Sequence, residues 1–119
     1  MRLATYEMQG PAGPVEIAIS QFPGDVGGML ANINRWRGQV GLAPVTEPEI
    51  AGLIESTFEN PGFKGTLFHI KGAEQHIVVA SMREASPDRT WTVRATVPPD
   101  VAAAIKPEVF EFARTFGTP

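Results

Sequence analysis

The chain has 119 residues, which suits one domain, because two would each be too short to hold an ordinary core. It carries 10 Lys and Arg against 13 Asp and Glu, a formal net charge of -3, without a basic run. Phosphate contacts dominate nucleic-acid affinity, so this balance argues against a nucleic acid as partner. The absence of cysteine excludes disulfides, thiolate nucleophiles and Cys-based metal sites.

Membrane and targeting signals are missing from the sequence. No segment approaches the ~20 apolar residues of a membrane span. Strand-like sequence follows Met1 almost at once, without the basic and apolar regions of a secretory signal. As it stands the sequence predicts a cytoplasmic protein. A signal segment or lipoprotein anchor removed from it would make the protein periplasmic or anchored.

The chain opens with a predicted β-hairpin. Segments 2–8 and 15–22 both have strand character, and 15–22 alternates apolar side chains with polar or small ones, the period of a half-buried strand. The Gly- and Pro-rich run 10–14 between them is typical of a turn.

Two helices are predicted next. The first covers 28–40, and Gly41 fits the left-handed position that follows many helices. Thr46 and Glu49 have the spacing of a capping box that opens the second helix, and the Asn-Pro-Gly run at 60–62 ends it. The apolar positions of this second helix, at helical spacing, are Ile50, Leu53, Ile54 and Phe58.

Three further strands and a last helix complete the predicted order ββααβββα. The strands cover 63–70, 75–82 and 90–97, and the helix covers 107–116 after a helical turn at 101–105. We therefore predict a single α+β domain over 1–119, with a mainly antiparallel sheet of five or six strands flanked by helices. The predicted core residues are Ile17, Ile19, Met29, Ile33, Val40, Leu53, Ile54, Phe68, Ile77, Val79, Trp91, Val93, Val109, Phe110 and Phe116.

The helix at 28–40 carries the candidate binding surface. On a helical wheel at ~100° per residue, Met29, Ile33 and Val40 form the buried stripe, with Arg37 on its apolar side. Amide and guanidinium groups beside an indole have the composition of interface hot spots. The candidate binding residues on the polar arc and its boundary are Asn32, Arg35, Trp36 and Gln39. The structural alternative is that the Trp covers the core edge, Arg37 forms a buried salt bridge and the amides cap loops.

A weaker candidate precedes this helix. Gly27 and Gly28 lie where a helix N-terminus could bind an anion through backbone N–H groups. The segment lacks the Lys of a P-loop, and Asp25 would repel phosphate. The alternative is a tight turn from strand to helix.

The only two histidines, His69 and His76, flank a predicted two-residue turn at Gly72 and Ala73. That register places the two imidazoles directly opposite each other on neighbouring strands. With Glu74 on the same face they could form a metal site. The alternative is a solvated hairpin tip.

Catalytic motifs are not found. The sequence has no G-x-S-x-G elbow and no H-E-x-x-H pair. We predict a non-catalytic module that binds a protein or a small ligand through the polar face of helix 28–40, with no cofactor. The alternative function is a small metal-binding protein or enzyme that uses the histidine pair.

Two segments carry a family resemblance. The run G-D-V-G-G-M-L-A-N-I-N-R-W-R-G-Q-V-G-L and the ending T-W-T-V-R-A-T-V-P-P…F-E-F-A-R-T-F resemble a family of uncharacterised bacterial proteins. That family has a G-G-x-x-x-N-x-N-R-W-R-x-Q motif after its second strand, and it is similar to the PsbP-like fold. The resemblance implies an α/β/α sandwich around an antiparallel sheet, and proteins that act mostly by binding other proteins.

Overall fold

The computed structural model describes residues 2–25 and 27–117, which form one sheet with helices on both faces. The strands are β1 (Arg2–Gly10), β2 (Gly13–Pro23), β3 (Ile54–Asn60), β4 (Phe63–Lys71), β5 (His76–Glu84) and β6 (Arg89–Val97). The helices are α1 (Met29–Gln39), a 3₁₀ helix (Glu47–Leu53) and α2 (Pro99–Ala113). The prediction of an α+β fold with an antiparallel sheet is confirmed. Within the described ranges, no helix has the length and apolar character needed to cross a membrane.

The strand order is β1-β2-β6-β5-β4-β3, and every neighbouring pair is antiparallel. Strands β3 to β6 form a continuous meander. Strand β6 then lies beside β2, so the last strand joins the meander to the N-terminal hairpin. The long connection through α1 and the 3₁₀ helix crosses from β2 to the opposite edge of the sheet.

Each face of the sheet has its own core, because side chains alternate along every strand. The α2-side core includes Leu67, Ala80 and Val93, which lie in one row across three strands. The α1-side core includes Phe68 and Val79 in the adjacent positions. Strand β5 is buried continuously from residue 77 to 80, because it lies in the sheet interior with both faces covered.

The predicted second helix is wrong beyond residue 53. The capping box is present, since Glu49 Oε1 accepts hydrogen bonds of 2.8 Å from both the backbone N–H and the hydroxyl of Thr46. It opens only the short 3₁₀ helix, and the chain then continues as β3, paired with β4. Alternating exposure along β3 shows the period of a strand, and the Asn-Pro-Gly run forms the turn of the β3–β4 hairpin. Strand β3 is therefore the additional strand that brings the five predicted strand segments to six.

The C-terminal region is one helix rather than a turn followed by a helix. Helix α2 begins with Pro99 in its first turn and continues through Pro107. The Pro107 ring removes the hydrogen bond to the carbonyl of Ala103, but both residues are exposed, so solvent can satisfy that carbonyl. A proline inside a helical pattern is therefore not a sufficient signal of a helix boundary here.

Most of the predicted core residues are buried or half-buried. The exception is Met29, which is 37% exposed. Met29 is the first residue of α1, and only later residues of the helix reach the sheet. Eight predicted core residues are buried: Ile17, Ile33, Phe68, Ile77, Val79, Val93, Val109 and Phe110. Six are half-buried: Ile19, Val40, Leu53, Ile54, Trp91 and Phe116.

Candidate functional site

A cleft of about 220 Å³ lies between α1 and strands β2 and β6; we call it the α1 cleft. Its lining residues are Ser20, Phe22, Asn32, Arg35, Trp36, Gln39, Thr90, Thr92 and Arg94. All four helix residues that the sequence selected as a binding surface are among them. The structure thus places them around one concave space instead of on an open patch.

The rotation of α1 about its axis differs from the predicted one. Trp36 and Asn32 are only 4% and 5% exposed, whereas the helical wheel placed the first at the boundary and the second on the polar arc. Trp36 packs against Phe68 of β4, with 6.3 Å between ring centroids. This contact turns the indole towards the sheet and carries Asn32 into the cleft. Arg35 and Gln39 remain exposed, as the wheel predicted.

Arg35 is held in place by its neighbour one helical turn earlier. Its Nη2 donates a hydrogen bond of 2.8 Å to Oδ1 of the buried Asn32. No carboxylate forms an ion pair with Arg35 in the described part of the chain. The guanidinium therefore keeps its charge and most of its donors available for a ligand.

A second guanidinium is braced in a similar way. Arg94 of β6 donates from Nη1 to Oε1 of Gln39, at 3.1 Å, and this hydrogen bond connects the sheet to the end of α1. Ser20 and Thr92, which also line the cleft, lie directly opposite each other on β2 and β6. Their hydroxyl groups make no hydrogen bond to another residue within the described ranges.

The remaining threonine of the lining has a structural role. The Thr90 hydroxyl donates to the Gly24 carbonyl at 2.6 Å and accepts from Arg83 Nη1 at 2.9 Å. Arg83 also donates to the same carbonyl and forms an ion pair with Asp88. These contacts hold Gly24, the first residue after β2, against β5 and β6.

The lining is rich in hydrogen-bond donors, and none of its described residues is acidic. Guanidinium groups donate only, and hydroxyl and amide groups can donate as well as accept. A carboxylate or phosphate group is the ligand chemistry that such a set recognises, since arginine binds both in a bidentate manner.

Two polar residues of α1 outside the cleft hold the loop that follows the helix. Asn34 donates from Nδ2 to the Val45 carbonyl at 3.1 Å and accepts from the Val45 N–H at 2.8 Å. Arg37 donates from Nε to the Ala43 carbonyl at 2.8 Å. The buried salt bridge considered for Arg37 is therefore wrong. Its partner is a backbone carbonyl, and the residue is half-buried.

The glycine segment before α1 forms a turn. Gly27 and Gly28 have φ angles of 84° and 92°, a region that glycine adopts without strain. The Gly28 N–H, a candidate anion donor, already donates to the Asp25 carbonyl at 3.0 Å. Only part of the predicted anion site thus retains unused backbone donors.

The histidines meet, but not in the predicted register. His69 lies opposite Val78 and His76 lies opposite Lys71, because a four-residue connection at 72–75 replaces the predicted two-residue turn. A shift of two residues keeps each side chain on the same face of the sheet. The rings therefore contact each other diagonally, with His69 Nε2 and His76 Nδ1 2.8 Å apart.

The environment of His69 disfavours its charged form. Burial, followed by the positive charges of Lys106, His76 and Lys71, lowers the pKa of His69 to about 4. Its Nδ1 atom is buried and has no hydrogen-bond partner in the part of the chain that the structure describes. Glu74 lies exposed in the connection, and no group of three His, Asp or Glu residues in the described ranges is arranged to hold a metal ion. The structure brings the two histidines together, but it does not add Glu74 to them.

The sequence did not identify the strand side of the α1 cleft. Alternation along β6 places Thr90, Thr92 and Arg94 on one face, and alternation along β2 does the same for Ser20 and Phe22. The pairing of β2 with β6 brings these two sets of side chains together, and no local sequence pattern predicts that pairing.

Comparison of the chain with protein-family models, curated proteins and solved structures found no match. The resemblance to the PsbP-like fold therefore stays a prediction.

Proposed function

We propose that the protein is a non-catalytic binding module that takes the carboxylate or phosphate group of a small ligand in the α1 cleft. The observation that carries the proposal is Arg35, fixed by Asn32 and without an ion pair in the described ranges, on a cleft whose lining has no acidic residue. A guanidinium placed among other donors lacks acceptors for its remaining N–H groups, and an anion would complete the set.

The hydrogen bonds that hold Arg35 and Arg94 in place support a binding role for both side chains. A long side chain loses rotamer entropy when it binds, and a guanidinium already held by an amide loses less. Asn32 supplies this brace to Arg35, and Gln39 supplies it to Arg94. The hydroxyls of Ser20 and Thr92 add two further groups that can donate to an oxygen of the ligand.

The lining also supports binding without catalysis. General acid–base chemistry needs a group that gains and loses a proton near neutral pH. The described lining contains arginine, amide, hydroxyl and aromatic groups, and it lacks the histidine or carboxylate that most often does this work. Burial of Trp36 likewise leaves no large exposed aromatic group on α1 as an anchor for a partner protein.

Calorimetric titration tests the proposal with inorganic phosphate and succinate as probes, at constant ionic strength so that screening does not change. We expect saturable binding of at least one probe, and Arg35→Ala should weaken it about tenfold or more, as the loss of a charged hydrogen bond predicts. The free energy of unfolding should fall by only about 0.5–1.5 kcal/mol, because Arg35 is exposed and loses a single hydrogen bond, to Asn32. Lys64→Ala is the matched control, since it removes one exposed positive charge outside the cleft.

Two results would contradict the proposal. One is the absence of saturable binding of either probe to the wild-type protein. The other is an equal loss of affinity in Arg35→Ala and Lys64→Ala, because that result would show attraction by net charge instead of recognition in the cleft.

A further inference from the structure

Strand β1 forms an edge of the sheet and pairs with β2 alone among the described residues. Its outer side therefore presents backbone N–H and C=O groups without a strand partner, and residues 3–7 are all exposed. The strand has nine residues, long enough to pair with a second extended segment over several hydrogen bonds. Short strands, prolines and lysines commonly protect such an edge, and residues 3–10 contain neither proline nor lysine.

A groove of about 440 Å³ runs between this edge and α2. In it the Tyr6 ring of β1 stacks on the Phe112 ring of α2, with centroids 5.4 Å apart and planes at 9°. Tyr6 stays 49% exposed in spite of this contact. The exposed aromatic face can pack against the stem of a long side chain or attract a cation.

Both faces of the edge carry negative charge. Glu108 and Glu111 are exposed on the α2 side, where they line the groove. On the opposite face of β1, the exposed Glu7 lies directly across from Glu16. Glu7, Glu108 and Glu111 form no ion pair in the described ranges, and no Lys or Arg lines the groove.

We propose that an extended basic segment of a partner protein adds to β1 as a seventh strand. Backbone hydrogen bonds to the open edge supply a sequence-independent part of the affinity. Side chains of the added strand alternate between the two faces, so basic residues reach Glu108 and Glu111 on one face and Glu7 on the other. This surface lies at the edge of the sheet, and the inference is independent of the α1 cleft.

The probe is a nine-residue peptide in which pairs of lysines alternate with pairs of threonines, so that lysines lie on both faces of the added strand. It is titrated by calorimetry at constant ionic strength. We expect saturable binding, and at least tenfold weaker binding of the matched glutamate–threonine peptide. The double variant Glu108→Lys/Glu111→Lys should weaken binding of the lysine peptide at least tenfold. Glu47→Lys/Glu74→Lys, which changes the net charge equally at exposed positions away from the groove, should leave the affinity within about twofold.

Backbone N-methylation of the peptide tests the added strand itself. One set of alternate residues points its N–H groups at β1 and the other set points them away. We expect N-methylation of one set to abolish binding and N-methylation of the other to be tolerated. Equal binding of both methylated peptides, or an equal loss in the two double variants, would overturn the proposal. So would a concentration-dependent dimer in light scattering that the lysine peptide fails to dissociate, because a second copy would then occupy the edge.

Discussion

At the scale of single residues, His69 links the hairpin tip to the pH dependence of stability. Its pKa is about 4 in the folded protein because of burial and the nearby cations, Lys106 first among them. An unperturbed histidine has a pKa of about 6.5. Between these two values the unfolded chain binds the proton and the folded protein does not, so the free energy of unfolding falls as pH falls from about 6.5 towards 4.

Urea titrations at pH 7 and pH 5 of the wild type and of His69→Gln measure this effect. The interval stays above the range in which most carboxylates titrate, and the comparison with the variant isolates the contribution of His69. We expect the wild type to lose more stability than the variant on acidification. Parallel losses would show that His69 is protonated in the folded protein and that its environment does not resist the charge.

Residue roles on α1 were predictable only in part. Arg35 and Gln39 are exposed, as their place on the wheel predicted. Asn32 and Trp36 lie deeper than the wheel predicts, because the wheel includes Met29 in the buried stripe. The stripe rests on few apolar residues, so one that is exposed changes the predicted rotation. The contact between Trp36 and Phe68 sets the rotation, and no local pattern contains that contact.

At the scale of elements, two glycines should respond in opposite ways to alanine. Gly38 lies in α1 with no heavy atom near the position of an added Cβ, so Gly38→Ala should stabilise the protein by roughly 0.5–1 kcal/mol through helix propensity. Gly65 of β4 lies under the ring of Phe58 on β3, and an added Cβ would overlap that ring. Gly65→Ala should therefore destabilise it by about 1–3 kcal/mol. Thermal melts of both variants check the signs, and a neutral Gly65→Ala would show that the Phe58 ring moves aside without cost.

The elements that were predicted well have a strong local period. The alternation in β2 and β6 and the glycine after α1 needed no tertiary information. Residues 54–60 were mistaken for helix because Ile50, Leu53, Ile54 and Phe58 match helical spacing across a boundary between two elements. Pairing of β3 with β4 decides the conformation of that segment, and a short apolar run alone does not distinguish the two states.

At the scale of the whole molecule, one sheet serves two cores. Phe68 is buried on the α1 side and Phe110 on the α2 side. Truncating either to alanine should cost ~3–5 kcal/mol, and a domain of this size has a total stability of about 5–15 kcal/mol. We expect each single variant to unfold in one cooperative transition and the double variant to lack a folded baseline in urea titration. Two separate transitions in a single variant would mean that one layer melts while the other remains.

The fold class followed from the sequence, whereas the strand order did not. Period and turn signals are local, and they were sufficient for an antiparallel sheet with helices. The place of β6 between β2 and β5 depends on pairs such as Ala18 with Arg94, which lie far apart in the chain. For the same reason the sequence could identify the helix wall of the α1 cleft but not its strand wall.

Because β2 pairs with β6, the α1 cleft can be completed only late in synthesis. Ser20 and Asn32 leave the ribosome before Thr92 and Arg94, which belong to the strand of this sheet that is synthesised after the other five. Until that strand inserts, the N-terminal hairpin has no neighbour in the meander and the cleft has only one wall. A ligand of the site we propose would therefore bind only a chain in which β6 is paired with β2. Binding to that form alone would raise its stability by mass action. A bound ligand would then stabilise the pairing of β2 with β6, the last strand pairing to form.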